Sequence, residues 1–216
     1  DAALVREGAW AVLERLLKAD APDAVEPAIG AAIAVALLRE NKVSTTVLMP
    51  YLDRLGDFGL WFRQLWAESL GKKATGTTPI RALGTVDQHS QLQLYLDGPP
   101  DKMFTVIMLN SHGTGRRVEP DLATDGELNY LSGQTMGDLM EAEQSTTARI
   151  LADRGRPTRI FRLKTLDERV IGGLMMHFML ETIIAAHLLD VDPFDQPAVE
   201  QGKVLTREYL AKNGSG

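Results

Sequence analysis

The sequence predicts an α/β fold, a three-layer sandwich built on a mainly parallel, doubly wound sheet. Two observations carry that expectation. Short β-branched or apolar runs, such as VSTTVLM and MFTVIML, alternate with longer segments of helical periodicity. Helices between successive strands call for right-handed crossovers, which lay helices over both faces of a parallel sheet.

Leu4, Val5, Ala9, Val12, Leu13, Leu16 and Leu17 recur at helical spacing, and residues 27–39 continue as an Ala/Leu/Ile-rich helix. Two helices therefore precede the first strand, 43–49, which ends at Pro50. A long helix is expected from about 54 to 70, closed by Gly71. Residues 79–83 read as a short strand, 88–96 as a helix and 103–109 as a buried strand. The helix over 135–153 ends in arginines that suit its C-terminal dipole. Residues 159–163 give one more strand, followed by an apolar helix over 167–189 and a last helix over 199–211. Ligands of such sheets bind beyond the C-terminal ends of the strands, and the loops after the first two strands lead to the segments holding Glu68 and His89. The longest irregular stretch, 110–127, contains SHGTGRR. Its Gly113 and Gly115 form a bare GxG that reads as a plain turn, because no helix start follows as a phosphate loop requires. With no internal repeat and no clear boundary, 1–216 is expected to form one domain, with 1–40 as leading helices and 190–216 as a C-terminal segment.

Composition narrows the function classes. At 216 residues, 44% hydrophobic and 24% charged, the chain can bury a full core. A formal charge of −6 argues against a nucleic-acid or anionic-membrane partner, whereas a small anionic substrate needs only local positive charge. The absence of cysteine rules out disulfides and thiolate metal sites and fits a reducing cytoplasm, the expected location. The best membrane-span candidate, GGLMMHFMLETIIAAHLL, carries Glu181 and two histidines and is expected to be a buried core helix. The charged, amphipathic first segment does not read as a signal peptide.

Glu68, His89 and Lys203 are the candidate catalytic residues, lying in QLWAESLGK, GTVDQHSQLQLYLDGP and DPFDQPAVEQGK. An acid, an imidazole and an amine are what opening a sugar ring and moving a proton between adjacent carbons would use. Glu68 follows Leu60, Trp61, Leu65 and Trp66 on its helix, so an aromatic, partly dry setting is expected; from the helix alone it equally reads as a solvated carboxylate. His89 would project from the first turn of a helix toward a cleft, with Asp87 as a possible helix cap; taken alone it reads as a structural or surface histidine. Lys203 near the start of the final helix would ordinarily be solvated. Gln64 and Gln196 are suited to hydrogen-bond sugar hydroxyls. His177 and Glu181 stand one helical turn apart; without a third ligand they read as a satisfied core pair, not a metal site. Met175, Met176 and Met179 read as core packing.

Taken together, MPYLDRLGDFGLWFRQLWAESLGK, PIRALGTVDQHSQLQLYLDGPPDK, GQTMGDLMEAEQSTTARIL and VDPFDQPAVEQGK resemble the second half of a bacterial phosphoglucose isomerase, also called glucose-6-phosphate isomerase. The last stretch is similar to a long family signature and departs from it at Ala198, where a glycine is usual. The resemblance implies a sugar isomerase (SIS) domain-like fold and interconversion of glucose 6-phosphate and fructose 6-phosphate through a cis-enediol. It makes Glu68 the base, His89 the group that assists ring opening and reaches the neighbouring subunit's site in a homodimer, and Lys203 a contact near the ring oxygen. Gln64 and Gln196 would line the pocket. No metal or organic cofactor is implied. The family's GGRFS-like stretch and its serine/threonine-rich phosphate loop have no counterpart in these 216 residues, so the chain is expected to be a C-terminal half, inactive alone. A non-catalytic sugar-phosphate-binding or dimerisation module of the same fold is the alternative, and activity on mannose 6-phosphate stays open.

Overall fold

The runs VSTTVLM and MFTVIML become the two central strands. The computed structural model describes residues 1–213. Helices α1 (Ala2–Lys18) and α2 (Glu26–Asn41) lead into β1 (Thr45–Pro50), α3 (Gly56–Leu70) and β2 (Thr78–Arg81). Two short helices, α4 (Val86–Ser90) and α5 (Leu92–Asp97), precede β3 (Lys102–Leu109). Then come α6 (Met136–Asp153), β4 (Thr158–Leu163), α7 (Glu168–Leu188) and α8 (Pro197–Asn213). The sheet is parallel throughout with order β2-β1-β3-β4, so the chain winds outward in both directions from the β1/β3 pair.

Alternation along the strands builds two separate cores. Leu48, Met103 and Ile107 point to one face and pack with α2, α3 and α7 through Ala31, Phe62, Trp66 and Phe178. Val47, Met49, Phe104, Val106 and Met108 point to the other and pack under α5 and α6 through Tyr95, Ala148 and Leu151. This is the doubly wound three-layer arrangement that the strand–helix alternation predicts. One helix was expected over 88–96, and two are found. The break falls at Gln91, whose side-chain amide donates to Asp87 Oδ1 at 3.0 Å while its carbonyl oxygen Oε1 accepts from Tyr95 at 2.8 Å.

Helix α7 is long and apolar enough to cross a membrane by length and composition. In the fold it lies against α1, α2 and α3, burying Leu174, Phe178, Ala185 and Ala186. Its contact with α1 is backbone on backbone. A Cβ on Gly8 would lie 1.9 Å from the carbonyl oxygen of Arg169, and one on Gly172 would lie 1.9 Å from that of Val5. Only glycine permits that approach.

The core beneath α7 contains a charged cluster. Arg159 of β4 donates through Nε to Thr105 Oγ1 at 2.8 Å and through Nη1 to Glu181 Oε2 at 2.9 Å, with Nη2 2.8 Å from Oε1. His177 Nε2 stands 3.1 Å from Glu181 Oε2, which makes His177 and Glu181 the satisfied pair expected from their spacing. Arg159 is the member that helical periodicity cannot reveal. Burial alone would disfavour the Glu181 anion, but the guanidinium and the histidine outweigh it and hold the carboxyl below the usual glutamate range. The stability contributed by this anion is therefore complete above the ordinary glutamate range and is lost as pH falls through the depressed folded value.

Glu181→Ala strands the buried Arg159 and is expected to cost about 3–5 kcal/mol in urea unfolding. The double variant Arg159→Met/Glu181→Leu should recover much of that loss.

Candidate active site

The C-terminal end of α3 and the loop after α7 enclose an open groove of about 770 Å³. On α3, Phe58, Phe62 and Trp66 recur at i, i+4 and i+8 and turn into the core. Trp66 is fixed there by its indole N–H, which donates to Thr77 Oγ1 at 2.8 Å, and Thr77 bonds in turn to Thr46. Glu68, two positions beyond Trp66, consequently faces outward and lines the groove, half-buried. The aromatic surround expected for it is absent from the groove, which is lined near Glu68 by Ala67, Gly71, Val191 and Ala198.

Two amides hold the Glu68 carboxylate. Gln64 Nε2, one turn earlier on α3, donates to Oε1 at 3.2 Å, and Gln196 Nε2 donates to Oε2 at 2.9 Å. Glu68, Gln64 and Gln196 are thus brought together across 128 residues of sequence. Such bonds orient a carboxylate while leaving its remaining lone pairs available.

His89 and Lys203 lie elsewhere. Helix α3 starts at the C-terminal end of β1 and its 15 residues carry the chain about 22 Å back along the sheet, so Glu68 sits at the strands' N-terminal edge. That departs from the expectation that Glu68 would lie beyond the strands' C-terminal ends. His89 sits on α4, directly after β2, at the opposite edge, and its ring is exposed. Lys203 is exposed on α8 and ion-paired to Glu200 Oε1 at 2.6 Å; of α8 only the first turn, at Pro197, Ala198 and Val199, borders the groove.

The mount of His89 is firm although the ring is free to project. Gln88 Oε1 accepts from the Tyr51 hydroxyl at 2.8 Å and from Thr147 Oγ1 at 3.1 Å. Burial pushes the Tyr51 hydroxyl up to about 12, so it stays a neutral donor. Asp87 does not cap the helix as its position suggested. It reaches back to accept the Leu83 N–H at 2.7 Å, and forward to Ser90 and Gln91. Partial burial opposes its ionisation, yet the bonds from Gln91, Ser90 and Leu83, with the charge of Arg81, lower its pKa.

Gly113 and Gly115 adopt φ values of 73° and 77° in the turn expected of them. The neighbouring N-terminus of α6 is filled by the protein's own carboxylate, for Asp138 accepts from Thr135 N–H and Gly113 N–H at 2.8 and 2.9 Å. Those bonds, first from the Thr135 backbone, hold Asp138 at about 2. Among the described residues no group of three or more His, Asp or Glu is arranged to hold a metal. The sequence reading passed over Lys72 and Asp195, both within the quoted stretches. The signal for Lys72 was the GK that ends QLWAESLGK, directly after the helix of Glu68; Asp195 directly precedes Gln196 in DPFDQPAVEQGK.

No family model matches the chain. A glucose-6-phosphate isomerase of Rubrobacter xylanophilus is 41% identical over 187 residues, covering 86% of this chain and 43% of that protein. A probable glucose-6-phosphate isomerase of Halobacterium salinarum is 43% identical over 173 residues, covering 80% of this chain and 40% of that one. Among solved structures, a hypothetical protein of Thermus thermophilus superposes with a TM-score of 0.86 at 33% identity, covering 98% of this chain and 51% of that chain. A glucose-6-phosphate isomerase of Chlamydia trachomatis has the same fold, with a TM-score of 0.74 at 20% identity, over 99% of this chain and 43% of that chain. The parallel sheet, covered on both faces, is an α/β domain of the fold shared by these two structures. The chain is a homologue of glucose-6-phosphate isomerases and spans about two fifths of the length of the relatives it matches.

Asp87→Ala is expected to free the Leu83 amide and loosen α4. Amide exchange at Leu83 should rise, with a stability loss of about 1–2 kcal/mol.

Proposed function

We propose that this chain is the part of an aldose–ketose isomerase, acting on glucose 6-phosphate and fructose 6-phosphate, that supplies the base. One observation carries the reading: Glu68 is half-buried in a groove roomy enough for a sugar phosphate, and two amides, one from its own helix and one 128 residues away, hold its carboxylate. A carboxylate so oriented is suited to take the proton from C2 of the open-chain aldose, leaving a cis-enediolate, and to return it to C1. The kinship with isomerases supports the same role. Gln64 and Gln196 orient the carboxylate and offer amide groups to sugar hydroxyls. Lys203 contacts the ring-oxygen region of the substrate from the helix whose first turn borders the groove.

His89 assists ring opening in the partner's site of a homodimer. Its position at the sheet edge opposite Glu68 favours this arrangement over action within one copy. The phosphate and the enediolate charge are met by groups outside these 216 residues, so the chain alone folds but does not turn over. The same separation also suits a non-catalytic binding or dimerisation module, the second reading.

In the full-length enzyme Glu68→Gln keeps the side-chain shape but removes the base. A kcat loss on the order of 10²- to 10⁴-fold, with KM little changed, is expected in a coupled isomerase assay. Near-normal kcat would favour the non-catalytic module. The purified 216-residue chain, folded by circular dichroism, should show no turnover until the remainder of the enzyme is supplied; turnover near that of an intact isomerase would sink this part of the proposal.

A further inference from the structure

We propose that Lys72 is a positioning residue: it pins the 190–196 loop to the end of α3 and so sets Gln196 against the Glu68 carboxylate. The catalytic consequence rests on Glu68 being the base; the geometric claim stands on its own contacts. The Lys72 side chain is only 11% exposed, and a lysine so buried needs its ammonium satisfied. Two hydrogen bonds and an ion pair satisfy it. Nζ donates to Ser69 O at 3.0 Å and Asp192 O at 2.5 Å, and lies 3.4 Å from Asp195 Oδ1.

The placement of these acceptors is what assigns the role. Ser69 is the residue next to Glu68, and its carbonyl is one of those left open at a helix C-terminus, where a cation is favoured. Asp195 is the residue next to Gln196. One ammonium therefore joins the carbonyl beside the base to the backbone of Asp192 and to the carboxylate of Asp195, the residue beside the amide that orients the base. The loop has an earlier anchor in buried Val191, whose N–H donates to Ala186 O at 3.0 Å. Beyond Val191, among the described residues, the polar links from 192–196 to α3 and the segment after it come from Lys72 and from Gln196 itself. Lys73 does not duplicate the clamp. It bonds Asp190, before Val191, through an ion pair whose partners are 65% and 100% exposed, a kind that contributes little.

Losing the clamp leaves both hydrophobic cores untouched but releases Gln196, so Glu68 keeps only the Gln64 donor on its own helix. Misplacing a reacting group by about 1 Å is enough to slow chemistry on the order of 100-fold.

The test compares Lys72→Met with Lys72→Arg. In the 216-residue chain, NMR of the Gln196 side-chain amide should show it moving to the free-amide position in Lys72→Met. Backbone order across 193–196 should fall at the same time. In the full-length enzyme the same variant should lose kcat on the order of 100-fold, with KM changed far less, and Lys72→Arg, which retains charge and donors, should recover most of it. Asp195→Asn, an exposed change that leaves the cores intact, breaks the ion pair alone and should move the Gln196 resonance in the same direction. An unmoved Gln196 amide in Lys72→Met, or in Asp195→Asn should Lys72→Met fail to fold, overturns the clamp. A normal kcat in Glu68→Gln would instead overturn the assignment of the base while leaving the NMR result to judge Lys72 separately.

Discussion

A parallel sheet obliges each crossover helix to run back against the strand that feeds it, and the rest of this structure depends on that return. Helices α3 and α7 both start at the C-terminal edge of the sheet and both finish at the opposite one. Their ends meet there, and the groove is the space between them. At 15 and 21 residues they are about 22 and 32 Å long, so the longer α7 carries its following loop past the end of α3 and over it. The Arg159–Glu181 pair ties α7 to β4 and, through Thr105, to β3, beside the apolar packing and the glycine contacts that hold the helix elsewhere.

The electrostatics of the groove follow from the same meeting of ends. Lys72 and Lys73 are its lysines, and each is already matched by an aspartate of the loop that closes over it. Lys203 is matched by Glu200. These cations hold the chain to itself. A doubly charged phosphate entering here would find little positive charge left uncommitted, which agrees with a phosphate site supplied from outside this chain.

Much of the fold was legible because its signals are local. The apolar alternation of β1 and β3, the i, i+4, i+8 aromatics of α3 and the long, mostly apolar run of α7 each lie within one element. The break between α4 and α5 was not legible: it falls where the Gln91 side chain bridges Asp87 through its amide and Tyr95 through its carbonyl oxygen, and no glycine or proline marks it. Of the site, Glu68 and its two glutamines came through because they sit in distinctive stretches, but their neighbours did not. The aromatics beside Glu68 in sequence point away from it by helical geometry. Arg159 and Lys72 act through partners 22 and 120 residues distant, and no window of sequence contains both members. The edge on which Glu68 lies also escaped the reading, since it depends on how far α3 runs before it ends.

Helix α1 lies on the outside of the molecule, with Trp10 and Leu17 more than half exposed, and an outer helix ordinarily drifts freely in sequence. The contact of Gly8 with α7 removes that freedom at one point. Any side chain there must push two backbones apart, and Gly172 imposes the same condition from the other helix. Because each glycine faces a carbonyl of the opposite helix, a compensating change in one cannot rescue a substitution in the other. The pair can change only by separating α1 from α7, so an exposed helix carries a lock on evolutionary variation that its solvent exposure conceals.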